Sequence, residues 1–252
     1  HTDQASLQSL INEVAATSDK IKVRGLTINK NNKGGAAMPP PPYFEVFTQG
    51  KPTGVSFLGI PNGHEFSSLV LAILNANQKG KFPSDVIIKK IKNLKGPISV
   101  KTYISLTCEN CPEVVQSLNL IAFIHGQVTH TMVDGAYVQD EIQALGIQGV
   151  PAVVANSKLI HSGRSDLPEL LEKLEKAFGG ESLVIENPNL GFFDVGVIGA
   201  GPAGASAAIY SVRKGLKTAI VAEKIGGQVR ETKGIENLIS VPYTEGPDLA
   251  GQ

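Results

Sequence analysis

The sequence predicts an α/β protein, and three observations carry that prediction. Strand-like and helix-like segments alternate over residues 97–178 in the order β-α-β-α-β-β-α. A C-x-x-C, Cys108-Glu109-Asn110-Cys111, stands where the first of those strands gives way to a helix. Finally, Gly199-Ala200-Gly201-Pro202-Ala203-Gly204 follows an apolar strand and opens a small-residue helix, the start of a parallel βαβ arrangement. A chain of 252 residues accommodates one or two domains. Its 42% hydrophobic and 18% charged residues exclude a disordered chain. Basic and acidic residues balance at 23 each, which leaves no electrostatic footprint for nucleic acid or an anionic membrane. No apolar run reaches the roughly 18 residues a membrane span needs. Two cysteines this close together cannot form a disulfide scaffold.

Each element follows from local pattern. Residues 3–18 read as a helix, because Leu7, Leu10, Ile11 and Val14 recur at helical spacing. Residues 21–24 read as a short strand. Residues 29–42, with Asn-Asn, Gly-Gly and four consecutive prolines, suit only a loop. Residues 43–48 and 54–58 read as a hairpin. Residues 64–77 form a helix with Phe66, Leu69, Val70, Ile73 and Leu74 on its apolar face. Residues 84–94 form another, whose lysines, Lys89, Lys90, Lys92 and neighbouring Lys95, make a solvated face. Residues 99–106 alternate as a strand should. A helix over 112–124, a strand over 128–133 and a short helix over 138–145 come next. Strands 151–155 and 158–160 are joined by an Asn156-Ser157 turn. Helix 166–178 opens on a capping box, Asp166 with Glu169, and carries Glu169/Lys173 and Glu172/Lys176 pairs. Residues 179–191 make a linker. A buried strand over 192–198, a helix over 205–214 and a strand over 218–221 complete the pattern.

The position of the cysteines favours redox chemistry. Unpaired N–H groups and the macrodipole at a helix N-terminus stabilise a thiolate, so a thiol there ionises more readily than the usual pKa of about 8.5 allows. Cys108 is the expected attacking thiol and Cys111, one turn later, the resolving one. Structural zinc and inert core cysteines are the competing readings. Zinc usually takes four ligands, and there is no second cysteine pair; His125 and His130 fall in or beside a predicted strand. No metal is therefore expected. Pro151 of Gly149-Val150-Pro151 is well placed for a cis X–Pro bond, which would leave the Val150 backbone free to pair with an incoming peptide.

The glycine turn has the confirming context of a dinucleotide site, a strand before it and a helix after it. Gly201 allows close approach of a pyrophosphate and Gly204 allows tight helix packing. Glu223, 24 residues after Gly199, is placed to accept hydrogen bonds from an adenosine ribose. A merely structural tight turn is the alternative, and the motif alone does not separate FAD from NAD.

Taken together, Gly63-His64-Glu65-Phe66, residues 105–112, Gly149-Val150-Pro151-Ala152-Val153, residues 199–210 and Gly226-Gly227-Gln228 resemble the flavoprotein subunit of bacterial alkyl hydroperoxide reductase. The order of elements in 97–178 resembles a thioredoxin or glutaredoxin unit. The resemblance implies two fused thioredoxin-like units, 1–96 without cysteines and 97–178 redox-active. A linker over 179–191 and the first βαβ segment of a Rossmann-like FAD-binding domain over 192–252 would follow. It implies electron flow from NADH to FAD, to a disulfide in a nicotinamide domain, to Cys108 and Cys111, and on to a peroxiredoxin that reduces alkyl hydroperoxides. Glu65 matches an acid of the family's first unit and would be the proton acceptor of the pair; an ordinary helix N-terminal acid is the alternative. FAD would be held by Gly199, Ala200, Gly201, Pro202, Ala203, Gly204, Glu223, Lys224, Gly227, Gln228 and Asn237. A cytoplasmic location and a homodimer of the full-length enzyme are implied as well.

The chain begins at His1 and holds only 61 residues from Phe192 onward, so the expectation is a piece of that enzyme, clipped at both ends. Two other functions stay open on the sequence. One is a stand-alone glutaredoxin-like disulfide oxidoreductase. The other is a non-catalytic module that docks a peroxiredoxin.

Overall fold

The computed structural model describes residues 2–25, 42–179, 190–222, 224–237, 239 and 243–250. The chain divides into two units, His1–Val184 and Ile185–Gln252. In chain order the first unit contains α1 (Thr2–Ala16), β1 (Tyr43–Thr48), β2 (Lys51–Leu58), a 3-10 turn (Gly63–Glu65), α2 (Phe66–Ala76) and α3 (Asp85–Lys92). It continues with β3 (Ile98–Ile104), α4 (Cys111–His125), β4 (Val128–Asp134), a second 3-10 turn (Gly135–Tyr137), α5 (Gln139–Ala144), β5 (Ala152–Ala155), β6 (Lys158–Ser162) and α6 (Leu167–Phe178). One six-stranded sheet, ordered β1-β2-β4-β3-β5-β6, runs through all of it. The β1–β2 hairpin joins the rest by parallel pairing of β2 with β4, Val55 opposite His130.

The two-residue period of the strands sorts side chains between two cores. Val55, Phe57, Ile98, Val100, Val128 and Met132 face α4, which buries Cys111, Val114, Val115, Leu118 and Ile121 among them. Leu58, Tyr103, Val133, Ala152 and Val154 face the opposite way and are covered by Tyr137, Ile142 and Leu145. At roughly 1.5–3 kcal/mol per fully buried large apolar side chain, α4 is the best-anchored helix of the unit. That anchoring fixes the cysteine at its first residue.

Several local expectations are met in detail. The Asn156-Ser157 turn places both residues at positive φ, 45° and 66°, as a two-residue hairpin requires. The Asp166 carboxylate accepts the Glu169 N–H at 3.0 Å. The reciprocal half of the capping box is altered: the Glu169 carboxylate takes the Ser165 hydroxyl at 2.7 Å and the Lys173 ammonium at 3.0 Å. Glu172 and Lys176 pair at 2.7 Å.

Two expectations are corrected, and two others fall mostly outside the described residues. Residues 21–24 form no strand; they have no ladder partner among the described residues, and propensity alone does not hold a strand. The expected loop over 29–42 falls almost wholly outside the described residues, as does most of the linker. The inner face of α2 is not the apolar stripe read from the sequence: Phe66 and Leu74 are exposed, and Ser68, Leu69, Ala72 and Asn75 are buried.

The second unit pairs β7 (Val195–Ile198) with β8 (Thr218–Val221) in parallel, crossed by α7 (Pro202–Arg213). A 3-10 turn (Gly227–Glu231) and α8 (Gly246–Ala250) follow. The expected buried strand is only half covered. Val195 and Val197 are half-buried, whereas Ile198 is 92% exposed and Phe192 95% exposed. Two strands and one crossover helix shield a single face of the sheet. No helix among the described residues is long and apolar enough to cross a membrane.

Candidate functional site

Cys108 and Cys111 are joined by a disulfide, with Cα atoms 5.5 Å apart. Cys111 is the first residue of α4 and wholly buried; Cys108 lies in the preceding turn, two residues before the helix cap Asn110, and is half-buried. The Cys108 N–H donates to the Ser105 carbonyl at 3.0 Å, which folds the turn back on the end of β3. Across the site, the Val150–Pro151 bond is cis, as expected, and the Val150 carbonyl oxygen lies 3.9 Å from Cys108 Sγ. The Gly163 N–H holds the Pro151 carbonyl at 2.8 Å. Next to it, Arg164 Nε reaches the Glu113 carboxylate at 3.3 Å and ties the loop after β6 to the first turn of α4. His161 is nearly buried and steadies the same loop, its Nε2–H donating to the Gly163 carbonyl while Nδ1 accepts from Lys173.

Glu65 ends the first 3-10 turn and is fully buried, and neither carboxyl oxygen has a hydrogen-bond partner. Burial pushes its pKa up to about 7; the Ser68 hydroxyl opposes the shift without reaching hydrogen-bond geometry. A Cβ at Gly63 would lie 3.0 Å from the Leu106 carbonyl, and Gln116 of α4 donates to Ser67 and Ser68. Glu65 thus sits between two contacts to the 106–116 segment that carries both cysteines. An ordinary first-turn acid would point to solvent, and this one does not.

Two histidine arrangements, one buried and one half-buried, escape sequence reasoning. His130 is completely buried; with its hydrogen on Nδ1 it donates to Asn119 Oδ1 at 2.7 Å and accepts the Thr102 hydroxyl on Nε2 at 2.7 Å. Burial pushes its pKa down to about 3. This is a satisfied core histidine that pins α4 to β3 and β4. Its strand parity with Val128 and Met132 is the signal that could have revealed it. His125 caps the far end of α4, contacting the Leu94 carbonyl at 2.7 Å. Among the described residues no cluster of three potential ligands could hold a metal. A cavity of 260 Å³ lined by Lys101, Tyr103, Glu141 and Val154 lies on the other face of the sheet from Cys111.

In the second unit, Gly199 takes φ +97°, and a Cβ at Gly204 would collide with the Gly199 carbonyl. Gly201, the cap of α7, faces open space. The Gly226 N–H donates to the Ala200 carbonyl at 2.7 Å, and a Cβ at Gly227 would lie 3.2 Å from Gly201 Cα. Residues 226–228 are thereby folded onto the glycine turn. Lys224 pairs with Glu231 at 3.4 Å. Asn237 stands two residues beyond Ile235, which bridges to Thr244. Glu223 lies outside the described residues. An open cradle at a helix start, with close approach enforced by glycine, fits a pyrophosphate.

Residues 98–176 match the thioredoxin domain family, and residues 194–244 match the family described as glucose inhibited division protein A. A protein named NADH dehydrogenase from Bacillus subtilis is 44% identical over 242 residues, covering 96% of this chain and 45% of that protein. The F subunit of alkyl hydroperoxide reductase from Staphylococcus aureus is 42% identical over 244 residues, covering 97% of this chain and 45% of that one. The chain therefore spans about 45% of the length of these curated relatives. A solved structure of the corresponding protein from Enterococcus faecalis, AhpF, superposes with a TM-score of 0.62 at 30% identity, over 69% of this chain and 85% of that one. The thioredoxin-like sheet, the cysteine pair at its helix start and the glycine turn in the second unit are thus read in a chain that belongs to the AhpF family of alkyl hydroperoxide reductase.

Proposed function

We propose that this chain is the dithiol-bearing part of a flavin-dependent disulfide oxidoreductase that passes electrons to a peroxiredoxin. The observation that carries the proposal is the asymmetry of the pair: Cys108 is half-buried beside the Val150 carbonyl, and Cys111 is wholly buried at the start of α4. In the reduced chain the Cys108 thiolate attacks one sulfur of the peroxiredoxin disulfide, and the other sulfur leaves as a thiolate. Cys111 then gives its proton to Glu65, and its sulfur attacks Cys108. The Cys108–Cys111 disulfide forms as the second peroxiredoxin thiolate departs. Two electrons have moved to the partner, and one proton rests on Glu65. A thiol with no solvent contact needs a buried acceptor, and Glu65 is one.

FAD, when bound, supplies the electron pair, taken from NADH, that returns the disulfide to the dithiol. Residues 199–204 would hold its pyrophosphate, with Lys224, Gly227, Gln228 and Asn237 nearby and Glu223 toward the ribose. The chain spans about 45% of the length of its curated relatives, and we assign the NADH chemistry to the part of a whole protein of this family that lies outside that span. That whole protein we place in the cytoplasm, as a homodimer.

The deciding experiment reduces the chain with dithiothreitol, removes the reagent, and adds an oxidised peroxiredoxin. One peroxiredoxin disulfide should be reduced for each chain, read by mass spectrometry of alkylated thiols. No transfer from the fully reduced chain overturns the donor assignment. A glutathione requirement would point instead to a glutaredoxin-like oxidoreductase. Flavin binding has its own test: Gly204→Ala puts a Cβ into the Gly199 carbonyl. FAD retention in equilibrium dialysis should fall at least tenfold, the cost of about 1.4 kcal/mol in binding. Unchanged retention would mean that the turn is only structural.

A further inference from the structure

The polar residues on the inner face of α2 do more than bury Glu65. Ser68, one turn further along, is also completely buried. Its oxygen accepts from Gln116 Nε2 at 3.4 Å, and the same amide donates to Ser67 Oγ at 3.0 Å. Ser67 donates in turn to the His64 carbonyl at 3.0 Å. The Ser68 hydroxyl hydrogen has no acceptor of its own among the described residues, and the two uncommitted acceptors beside it are the oxygens of Glu65. Gln116 lies on the helix that begins at Cys111, so the helix carrying the buried thiol also holds the serine next to the acid.

We infer that Gln116 and Ser68 are positioning residues for Glu65: Gln116 occupies a lone pair of the Ser68 oxygen, and the serine turns its hydrogen to the carboxylate when the acid is ionised. This rests on Glu65 being the proton acceptor of the pair. A hydroxyl donating to a carboxylate favours the charged form. It therefore keeps an otherwise unpartnered buried acid usable as a base near neutrality. No charged side chain shares this task. His64 is the neighbour on the turn and is exposed; on α4 the titratable groups are Cys111, Glu113 and His125, of which Glu113 is committed to Arg164 and His125, at the far end of the helix, to the Leu94 carbonyl. On α2 itself no ionisable residue follows Glu65.

The test uses the reduced full chain and a small aromatic disulfide, with the rate of Cys111 attack on the mixed disulfide followed by stopped flow across pH. Ser68→Ala should move the midpoint of that profile upward by about one pH unit while the plateau rate is kept. Gln116→Leu, which leaves the serine in place, should move it the same way by less. An unshifted midpoint in both variants overturns the inference. Glu65→Gln separates the two levels. If it removes the pH dependence while Ser68→Ala leaves the midpoint alone, the acid is the base and the positioning role fails. If it leaves the profile as in the unmodified chain, the assignment of Glu65 itself fails. Should Ser68→Ala not fold, the Gln116→Leu profile alone decides.

Discussion

Cys108→Ser is expected to abolish disulfide transfer to background, whereas Cys111→Ser is expected to stop the reaction one step later, with the chain covalently attached to its substrate. The difference follows from exposure. Only Cys108 presents sulfur toward the Val150 backbone and solvent; Cys111 is sealed among Val114, Val115 and Leu118. The thiolate is the nucleophile, and a sulfur without access cannot attack an external disulfide whatever its pKa. A chain with Cys108 alone can form the mixed disulfide but has nothing to resolve it. Non-reducing mass spectrometry after mixing each variant with oxidised peroxiredoxin reads the outcome directly. The adduct should appear at full stoichiometry with Cys111→Ser and not at all with Cys108→Ser. The reverse pattern would exchange the roles of the two cysteines.

What the sequence conveyed well were positions where backbone geometry limits residue choice. The C-x-x-C, Pro151, the Asn156-Ser157 turn, the Asp166 cap and the glycines at 199 and 204 each answer a local steric or hydrogen-bonding demand that neighbours cannot relieve. What it conveyed poorly were faces. The apolar stripe read on α2 pointed to Phe66 and Leu74, yet the helix turns Glu65 and Ser68 inward, because the inner face serves the cysteine site rather than packing alone. The place of His130 in a strand argues against a metal ligand but leaves its actual role illegible, since its partners, Asn119 and Thr102, lie 11 and 28 residues away and meet it only in the folded sheet. Ile198 reads as core and is exposed, because whether a strand is covered depends on the layers around it and not on its own composition. In each case the missing information was tertiary.

Glu65 and His130 together should give the stability of the first unit an unusual pH dependence, and Glu65→Gln should expose it. Glu65 has a folded pKa raised from 4.5 to about 7, so the folded chain holds a proton that the unfolded chain releases. Its contribution is full below about 4.5 and is lost as pH rises toward 7, at about 1.4 kcal/mol per pH unit. His130 has a folded pKa lowered from 6.5 to about 3, so there the unfolded chain binds the proton. Its contribution is full above 6.5 and is lost, at the same rate, as pH falls toward 3. Between 4.5 and 6.5 the two slopes oppose and cancel. Below 4.5 only the histidine acts, and the protein should lose stability on acidification. Glu65→Gln removes one slope and leaves the other. The variant should gain on the order of 3 kcal/mol over the parent above neutral pH, and it should show the histidine slope across the whole range from 6.5 downward. Urea unfolding in a series of buffers measures both curves. Equal stability of variant and parent at alkaline pH would mean that the carboxylate is not held ionised out of contact with water. A gain there, combined with slow mixed-disulfide resolution, would identify Glu65 as a group whose stability cost is retained for catalysis.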